Sequence, residues 1–305
     1  MRPNCLAFFF LLSCTGLALE RPGVEYKIFQ FPADKIPRID GDTSDWSMVP
    51  ETYSIGMDQL KETLKGHAND PKNLDVKVKV GWVKGQNRLY FLYEAYDNFW
   101  DFDDHSRHND IFELVVDGDL SGGPLITAFH PKAKELGDDA FFQLHSVHAQ
   151  NYHIFTPAPE RNWAFLWGAQ TWAKDFPWAN AAYNYNFKHG ESGKLTLEFW
   201  ITPFDHLSYE GPERSVESKL NENKVIGMSW AVLDYDGPEE KDYKGFWNLS
   251  HKGTMYGNAD DLVAFRLMPL EATFRKPIEA HWSFTTLLQI VQVIPGTPSS
   301  SASRR

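Results

Sequence analysis

The chain has 305 residues and a formal net charge of −11, and aromatic residues make up 15% of it, including eleven tryptophans. This length suffices for one large domain or two small ones. The acidic balance, without a Lys/Arg cluster in the body of the chain, argues against nucleic acid as a partner.

Residues 1–20 have the features of an export signal. One arginine precedes an apolar run that is too short to span a bilayer as a helix, and small residues follow it. Two processing sites fit: cleavage after Ala18, or a lipobox "LLSC" that leaves Cys14 as the lipidated first residue. We therefore predict an exported protein, either extracellular, periplasmic or an outer-membrane lipoprotein. Its membrane contact would be a lipid anchor at Cys14.

Cysteine usage bears on how the domain is stabilised. Both cysteines, Cys5 and Cys14, lie in the signal segment, so the remaining chain has no thiol and no disulfide. An exported domain of this kind must be held by its own core, with a metal as an additional option.

Alternation of apolar and polar residues is the main pattern of the body, and it is typical of half-buried strands. Residues 75–83 ("DVKVKVGWV") alternate strictly, and the turn signal "VKGQN" separates them from a second strand at 88–96. Further strands are predicted at 111–116, 140–147, 181–187, 194–202, 225–234 and 261–268. A helical turn is predicted only around Met57–Leu64.

Many strands without intervening helices predict an all-β fold, an antiparallel β-sandwich of jelly-roll type. Residues 148–180 form a long aromatic segment that we predict to be a loop insertion covering or lining something. We expect Trp46, Trp82 and Trp230 in the core. The sandwich is predicted to span 36–270, followed by a C-terminal extension, 271–305, with a disordered end.

The stretch "NDIFELVVDGDLSGG" (109–123) carries the most suggestive polar residues. Asp110 and Glu113 are three residues apart on a strand, so they point to opposite faces and do not form a glycosidase pair. Asp117, Asp119 and Ser121 are spaced like the first oxygen ligands of an EF-hand loop, with a glycine next. They predict a structural Ca²⁺ site, and a plain Asp-Gly hairpin turn is the alternative. The acidic residues of "DNFWDFDD" (97–104), beginning with Asp97, are further oxygen donors or a solvated loop.

Six motifs in order resemble the family 9 carbohydrate-binding modules and their DOMON-like relatives. They are "IPRIDGDTSDW" (36–46), "LYFLYEAYD" (89–97), "NDIFELVVDGD" (109–119), "LTLEFWITPFDHL" (195–207), "IGMSWAVLDYD" (226–236) and "GNADDLVAFRL" (257–267). The resemblance covers about residues 36–268. It implies a β-sandwich that binds polysaccharide or oligosaccharide without cleaving it, needs no organic cofactor and is not an enzyme.

The same resemblance implies the sugar-binding residues. Glu113 matches the family's sugar-binding glutamate, with Asp110 in the same motif, and Gln143 matches a polar sugar contact. Aromatic side chains bind sugars by stacking on their C–H faces. One family aromatic falls at Arg107, a departure for which Trp100 is the nearest substitute. The second corresponds to Trp247 or Tyr256.

Two other functions stay open. Related sandwiches hold haem in electron-transfer proteins, and "HKGTMYG" supplies His251, Lys252 and Met255 as axial ligands. A glycan-active hydrolase with a site in 148–180 is the second alternative, although no catalytic motif supports it.

Overall fold

Alternating apolar and polar side chains form extended strands between residues 25 and 267. The computed structural model describes residues 19–102, 108–159, 162–237 and 243–275. Arg107, Cys14, the predicted export signal up to Ala18 and the tail from residue 276 lie outside the described residues.

The described part of the chain contains fifteen strands. They are β1 (Glu25–Phe31), β2 (Ile55–Gly56), β3 (Lys61–Glu62), β4 (Leu74–Val83), β5 (Leu89–Asp97), β6 (Ile111–Asp117), β7 (Gln150–Phe155), β8 (Ala164–Leu166), β9 (Ala179–Asn184), β10 (Gly193–Ile201), β11 (Phe204–His206), β12 (Val216–Glu217), β13 (Val225–Asp234), β14 (Gly245–Asn248) and β15 (Val263–Leu267).

The described helices are short. One α-helix, α1, spans Ala140–Leu144, and the 3₁₀ turns span Thr43–Trp46, Glu51–Tyr53, Met57–Gln59, Thr127–Phe129, Ala133–Glu135, Thr171–Lys174, Pro212–Arg214, Ala259–Asp261 and Ala272–Phe274. No helix in these ranges has the length and apolar character needed to cross a membrane.

The strands form two layers that one strand connects. The first layer has the order β8-β7-β6-β13-β15-β1, and the second has the order β1-β4-β5-β10-β9. β14 pairs with β13 beside β15, and β2 pairs with β4. Residues 25–28 of β1 pair with β15, whereas residues 29–31 pair with β4. The all-β sandwich predicted from the sequence is confirmed. Both pairings of β1 are parallel, in contrast to the antiparallel pairing of the other strands.

A large aromatic core fills the space between the layers. Phe91 of the second layer stacks on Phe199 with ring centroids 4.5 Å apart. Trp82 and Trp230 are fully buried in this core, and Trp46 is buried as well, as expected from the sequence. The Trp82 Nε1–H donates to the Met268 carbonyl at 3.0 Å, so its one polar group is satisfied.

A second apolar cluster covers the outer face of the first layer. Ile111 and Val115 of β6 contribute to it, together with Met255 and Leu262 from the segment before β15. Segments outside the sheet therefore cover part of this face.

Two sequence-based assignments need correction. Residues 140–147, predicted as a strand, contain the helix α1. Ala140 and Val147 are buried while Phe141 is exposed, so the buried positions follow a helical and not a two-residue period. The segment 148–180, predicted as a loop, contains β7 and β8. The predicted helical turn at Met57–Leu64 is a 3₁₀ turn, Met57–Gln59.

The chain divides into two units after Glu271. All strands belong to the first unit. Of the second unit, residues 272–275 are described, and they contain the 3₁₀ turn Ala272–Phe274.

Candidate functional site

The alternation of side chains in β6 sets the direction of Glu113. Phe112 and Leu114 point into the core between the layers, whereas Ile111 and Val115 belong to the cluster on the outer face. Because side chains alternate along a strand, Glu113 lies on the outer face of the first layer.

Glu113 forms a buried pair with a histidine of the neighbouring strand. The register of β6 and β7 places Glu113 opposite His153, and His153 Nδ1 lies 2.5 Å from Glu113 Oε2. The two residues are 3% and 4% exposed. No motif in the sequence around His153 marks it as a site residue. Only the pairing register of two strands that are distant in sequence reveals the contact.

Aromatic rings surround the imidazole of His153. The ring of Phe165 lies 4.5 Å away, that of Phe155 lies 5.7 Å away and that of Trp167 lies 5.8 Å away, measured between centroids. Phe165 and Trp167 are partly exposed and lie on or next to β8, the edge strand of the first layer. The polar pair thus adjoins partly exposed aromatic surface.

Two buried polar atoms beside the pair have no hydrogen-bond partner in the described part of the chain. They are His153 Nε2 and Asn151 Oδ1. Asn151 precedes His153 by two positions, so both side chains lie on the same face of β7. The Asn151 amide donates to the Tyr256 carbonyl at 2.8 Å. The acceptor Asn151 Oδ1 and the ring nitrogen His153 Nε2 are therefore held in fixed positions, and each can still form a hydrogen bond.

A second polar constellation lies where three strands begin or end. Asp97 ends β5, Asp234 ends β13, and Asp110 directly precedes β6. One carboxylate oxygen of each lies within 4.8 Å of those of the other two. The residues are only 1%, 1% and 3% exposed, respectively.

Neutral donors satisfy part of this acid cluster. Asp110 accepts from the backbone N–H of Asp101 at 2.7 Å and of Tyr235 at 2.9 Å. The Asn73 amide donates to Asp234 Oδ2 at 2.8 Å. Asp97 Oδ2 is buried and has no hydrogen-bond partner among the residues described.

Burial and mutual repulsion raise the pKa values in the cluster. Burial, followed by the charge of Asp234, raises the pKa of Asp97 to about 9. Burial and the charges of Asp97 and Asp234 raise the pKa of Asp110 well above its usual value. Three like charges at this separation need either protons or a cation. Oxygen donors in this number and arrangement suit a hard cation such as Ca²⁺.

The loop predicted to bind Ca²⁺ is organised differently. The Asp117 carboxylate accepts backbone N–H groups of Asp119, Ser121 and Gly122 at 3.3, 3.2 and 2.9 Å. These donors direct their positive ends at the carboxylate and occupy its acceptor positions. The backbone donors form a turn centred on Asp117, and the Ca²⁺ site predicted for this loop stays a prediction. A separate group of convergent acids lies at Asp97, Asp110 and Asp234.

Two predicted sugar-stacking rings belong to the core. Trp100 is 1% exposed, stacks on Phe187 at 4.9 Å and donates from Nε1 to the Gly193 carbonyl at 3.0 Å. Trp247 is 3% exposed and packs in the core between the layers. Both rings therefore pack mainly against protein atoms, and their role in sugar stacking stays a prediction.

The other predicted ligand residues are distributed over the molecule. Gln143 is exposed on α1, away from a strand. Tyr256 is partly exposed, and its ring packs against Phe129 at 5.4 Å. Of the predicted residues that are described, Glu113 and Tyr256 both contact β7, whereas Asp110 belongs to the acid cluster.

Several cavities lie among the described residues. One of about 220 Å³ is lined by Asn73, Asp236, Lys244 and Trp247, among others, and adjoins the acid cluster through Asn73. A second, of about 260 Å³, lies on the outer face of the second layer near Lys77 and Tyr96. A third, of about 440 Å³, lies at the turn between β4 and β5.

Residues on which the haem-binding and hydrolase alternatives rest have structural contacts within the fold. Met255 is fully buried, and His251 Nε2 lies 3.0 Å from the Gln59 carbonyl. The three clustered acids are closer together than the roughly 5–10 Å that a glycosidase pair requires, and they are buried. Neither arrangement favours haem ligation or glycoside hydrolysis over binding.

Comparison with solved structures supports the fold. The chain is similar to a family 9 carbohydrate-binding module from Caldicellulosiruptor kristjanssonii in complex with cellotriose, with a TM-score of 0.50 and 13% identity over 84% of this chain and 99% of that chain. The same module in complex with glucose matches with a TM-score of 0.49 and 12% identity over 83% and 100% of the two chains. No protein-family model and no curated protein matches the sequence. The first similarity shows that the chain has a fold like that of the family 9 modules, as its motifs predict.

Proposed function

We propose that this chain is an exported protein that binds carbohydrate without cleaving it. The observation that carries the proposal is the Glu113–His153 pair, which lies on one sheet face beside the partly exposed rings of Phe165 and Trp167. Sugar recognition needs this combination, because aromatic faces bind the apolar C–H surface while fixed polar groups bind hydroxyls. The fold similarity to sugar-bound modules and the export signal support the proposal.

Within this site the side chains have complementary roles. Trp167, with Phe165, would provide the stacking surface. The Glu113 carboxylate is 3% exposed, so a hydroxyl would reach it only at the β8 edge, and the His153 ring would fix its orientation. Partly exposed rings next to buried polar groups favour a ligand that enters from the β8 edge.

The test is glycan binding by matched variants. Trp167→Ala should weaken binding about tenfold or more, and Glu113→Gln should weaken it to a smaller degree, measured by affinity-gel retardation and by titration calorimetry. Phe142→Ala is the matched control, because Phe142 is an exposed aromatic residue on α1. Binding that Phe142→Ala abolishes and Trp167→Ala leaves intact would place the site on another surface.

We further propose that Asp97, Asp110 and Asp234 hold a structural Ca²⁺. The supporting observations are the separation of at most 4.8 Å between their oxygens and the buried Asp97 Oδ2, which has no hydrogen-bond partner within the described ranges. The ion would tie together the ends of β5 and β13 and the start of β6. It would act on stability and not on chemistry.

A further inference from the structure

A cavity of about 440 Å³ lies at the turn between β4 and β5. Small-molecule sites have volumes of about 300–1,000 Å³, a range that the cavities of about 220 and 260 Å³ do not reach. Its polar and aromatic lining includes Gln86, Asn87, Arg88, Trp178, Thr202 and Glu217. None of these residues belongs to the Glu113–His153 site.

The cavity and the Glu113–His153 site lie toward opposite ends of the sandwich. Arg88 directly precedes β5, whereas Asp97 ends it. Nine extended residues separate these ends by about 30 Å. Glu113 is three positions from Asp110, which clusters with Asp97. A ligand in the cavity is thus separate from one at Glu113.

Hydrogen bonds hold the polar lining in place. The Asn87 amide donates to Glu217 Oε2 at 3.1 Å, and its Oδ1 accepts from the backbone N–H of Leu220 at 3.3 Å. Gln86 Oε1 accepts from the Tyr90 hydroxyl at 2.8 Å. Groups that are fixed before binding lose little entropy when a ligand arrives.

An indole forms the aromatic wall. Trp178 is partly exposed, and its ring is supported by Trp172 at 5.4 Å and by Phe204 at 5.9 Å. The polar part of the lining includes Arg88, whose guanidinium lies over the Trp200 ring at 3.8 Å. The cavity lining thus combines one indole with several positioned polar groups.

The charges of the lining define the ligand class. Arg88 and Glu217 carry opposite charges, so the lining has no net charge and offers little attraction to a free anion or cation. An indole wall with amide, hydroxyl and carboxylate groups suits a neutral polyhydroxylated ring. We infer that this cavity is a second carbohydrate site, for a neutral sugar residue, an inference that rests on the proposed function of the chain.

The aromatic segment between β7 and β9 gains a role from this assignment. Trp178 and Pro177 come from its end and form part of the cavity wall. A chain with two sites at opposite ends could hold two sugar units of one glycan or of two glycans, and simultaneous binding would raise its apparent affinity for polymers.

Titration calorimetry with site-specific variants tests the inference. A panel of neutral oligosaccharides of glucose, xylose, mannose and galactose is titrated into the wild-type protein, Trp178→Ala and Trp167→Ala. We expect two binding sites per chain, either for one sugar or for two different sugars. Trp178→Ala should abolish one site or weaken it at least about tenfold, and Trp167→Ala should affect the other.

The possible results separate the two proposals. A single site that is lost in Trp167→Ala and unchanged in Trp178→Ala would overturn the second site and leave the proposed function standing. A single site lost only in Trp178→Ala would support the cavity and refute the Glu113–His153 site. No binding of any panel member would overturn both.

Two further variants guard against a folding defect, because Trp178 also packs against Phe204. Trp178→Phe keeps an aromatic wall and should restore part of the binding. Glu217→Gln keeps the side-chain size and should weaken the second site about fivefold, because a neutral acceptor replaces a charged one. Phe176→Ala is the matched control, since Phe176 lies in the same segment and is 79% exposed. Full binding by Glu217→Gln and Trp178→Ala would refute the second site.

Discussion

Asp97 is a buried carboxylate with less hydrogen bonding than its charge requires. Its Oδ1 accepts the backbone N–H of Phe99 at 3.1 Å, while Oδ2 is buried without a hydrogen-bond partner in the described structure. Burial and then the charge of Asp234 raise its pKa to about 9. Near neutral pH, ionisation of this group is thus unfavourable unless a cation is bound.

The substitution Asp97→Asn separates the two roles of this residue. Without a cation, the neutral amide replaces a carboxyl group whose ionisation is unfavourable, so the variant should unfold at the same or a higher temperature than the wild type, above all as the pH rises toward about 9. With Ca²⁺ the order should reverse, because the variant has lost one ligand. Thermal unfolding in chelator and in millimolar Ca²⁺ measures both effects.

Asp75→Asn is the control for this comparison. Asp75 is an exposed residue of β4 and lies outside the cluster, so its variant should respond to Ca²⁺ as the wild type does. An undiminished Ca²⁺ response of Asp97→Asn would contradict a cation site at this cluster.

Among the secondary-structure elements, β10 supplies a glutamate that holds the segment 36–46, the first of the six motifs. Glu198 accepts the Trp46 Nε1–H at 2.8 Å, the Gly41 N–H at 2.7 Å and the Asp40 N–H at 3.2 Å. Its side chain is buried, and burial raises its pKa despite these bonds. Gly41 has a φ of +82°, and a Cβ there would meet Asn184 at 3.1 Å, so the turn requires glycine.

We predict that Glu198→Ala destabilises the protein by about 3 kcal/mol or more, because it leaves several donors without an acceptor. Glu198→Gln should cost less, since an amide oxygen can still accept. Urea unfolding at equilibrium measures the free energy of both variants. A loss below about 1 kcal/mol for Glu198→Ala would show that the segment is held mainly by apolar packing.

Elements with a clear two-residue period could be predicted from the sequence. The strands near 75–83, 88–96, 111–116, 194–202 and 225–234 correspond to β4, β5, β6, β10 and β13 within one or two residues at most ends. Short elements could not be predicted in the same way. β8 has three residues and β14 has four, too few for a periodic pattern to be distinct.

The candidate site could be predicted only in part. The motif containing Glu113 indicated a functional strand, but its partner His153 lies forty positions away, and the contact depends on strand register. Burial of Trp100 and Trp247 likewise depends on how distant strands pack. The sequence indicated Asp97 as a possible oxygen donor. Its proximity to Asp234 depends on the sheet topology, which the sequence pattern does not predict.

For the molecule as a whole, β1 is the connection between the two layers. Its first residues extend the layer that contains β6 and β13, and its last residues extend the layer that contains β4 and β5. The acid cluster also joins elements of both layers, since Asp97 ends β5 and Asp234 ends β13. A cation there would therefore add a second connection between the layers.

The raised pKa values set the direction of the pH dependence of the metal-free protein. A carboxyl group whose pKa rises from 3.8 to about 9 on folding binds more protons in the folded than in the unfolded state between these values. Its contribution to stability is complete below about pH 4 and is lost as the pH rises toward about 9. The formal net charge of −11 adds self-repulsion in the same direction.

We therefore expect the melting temperature in chelator to fall from about pH 5 to about pH 9, and Ca²⁺ to remove most of this decline. A cation present at about a hundred times its dissociation constant adds about 2.7 kcal/mol, equivalent to roughly 5–10 °C for a domain of this size. Differential scanning calorimetry across this pH range with chelator, Ca²⁺ or Mg²⁺ measures the effect. Mg²⁺ should stabilise less, because it demands stricter octahedral geometry and dehydrates reluctantly. A melting temperature that is independent of Ca²⁺ at about pH 8 would mean that protons, and not a cation, neutralise the three acids.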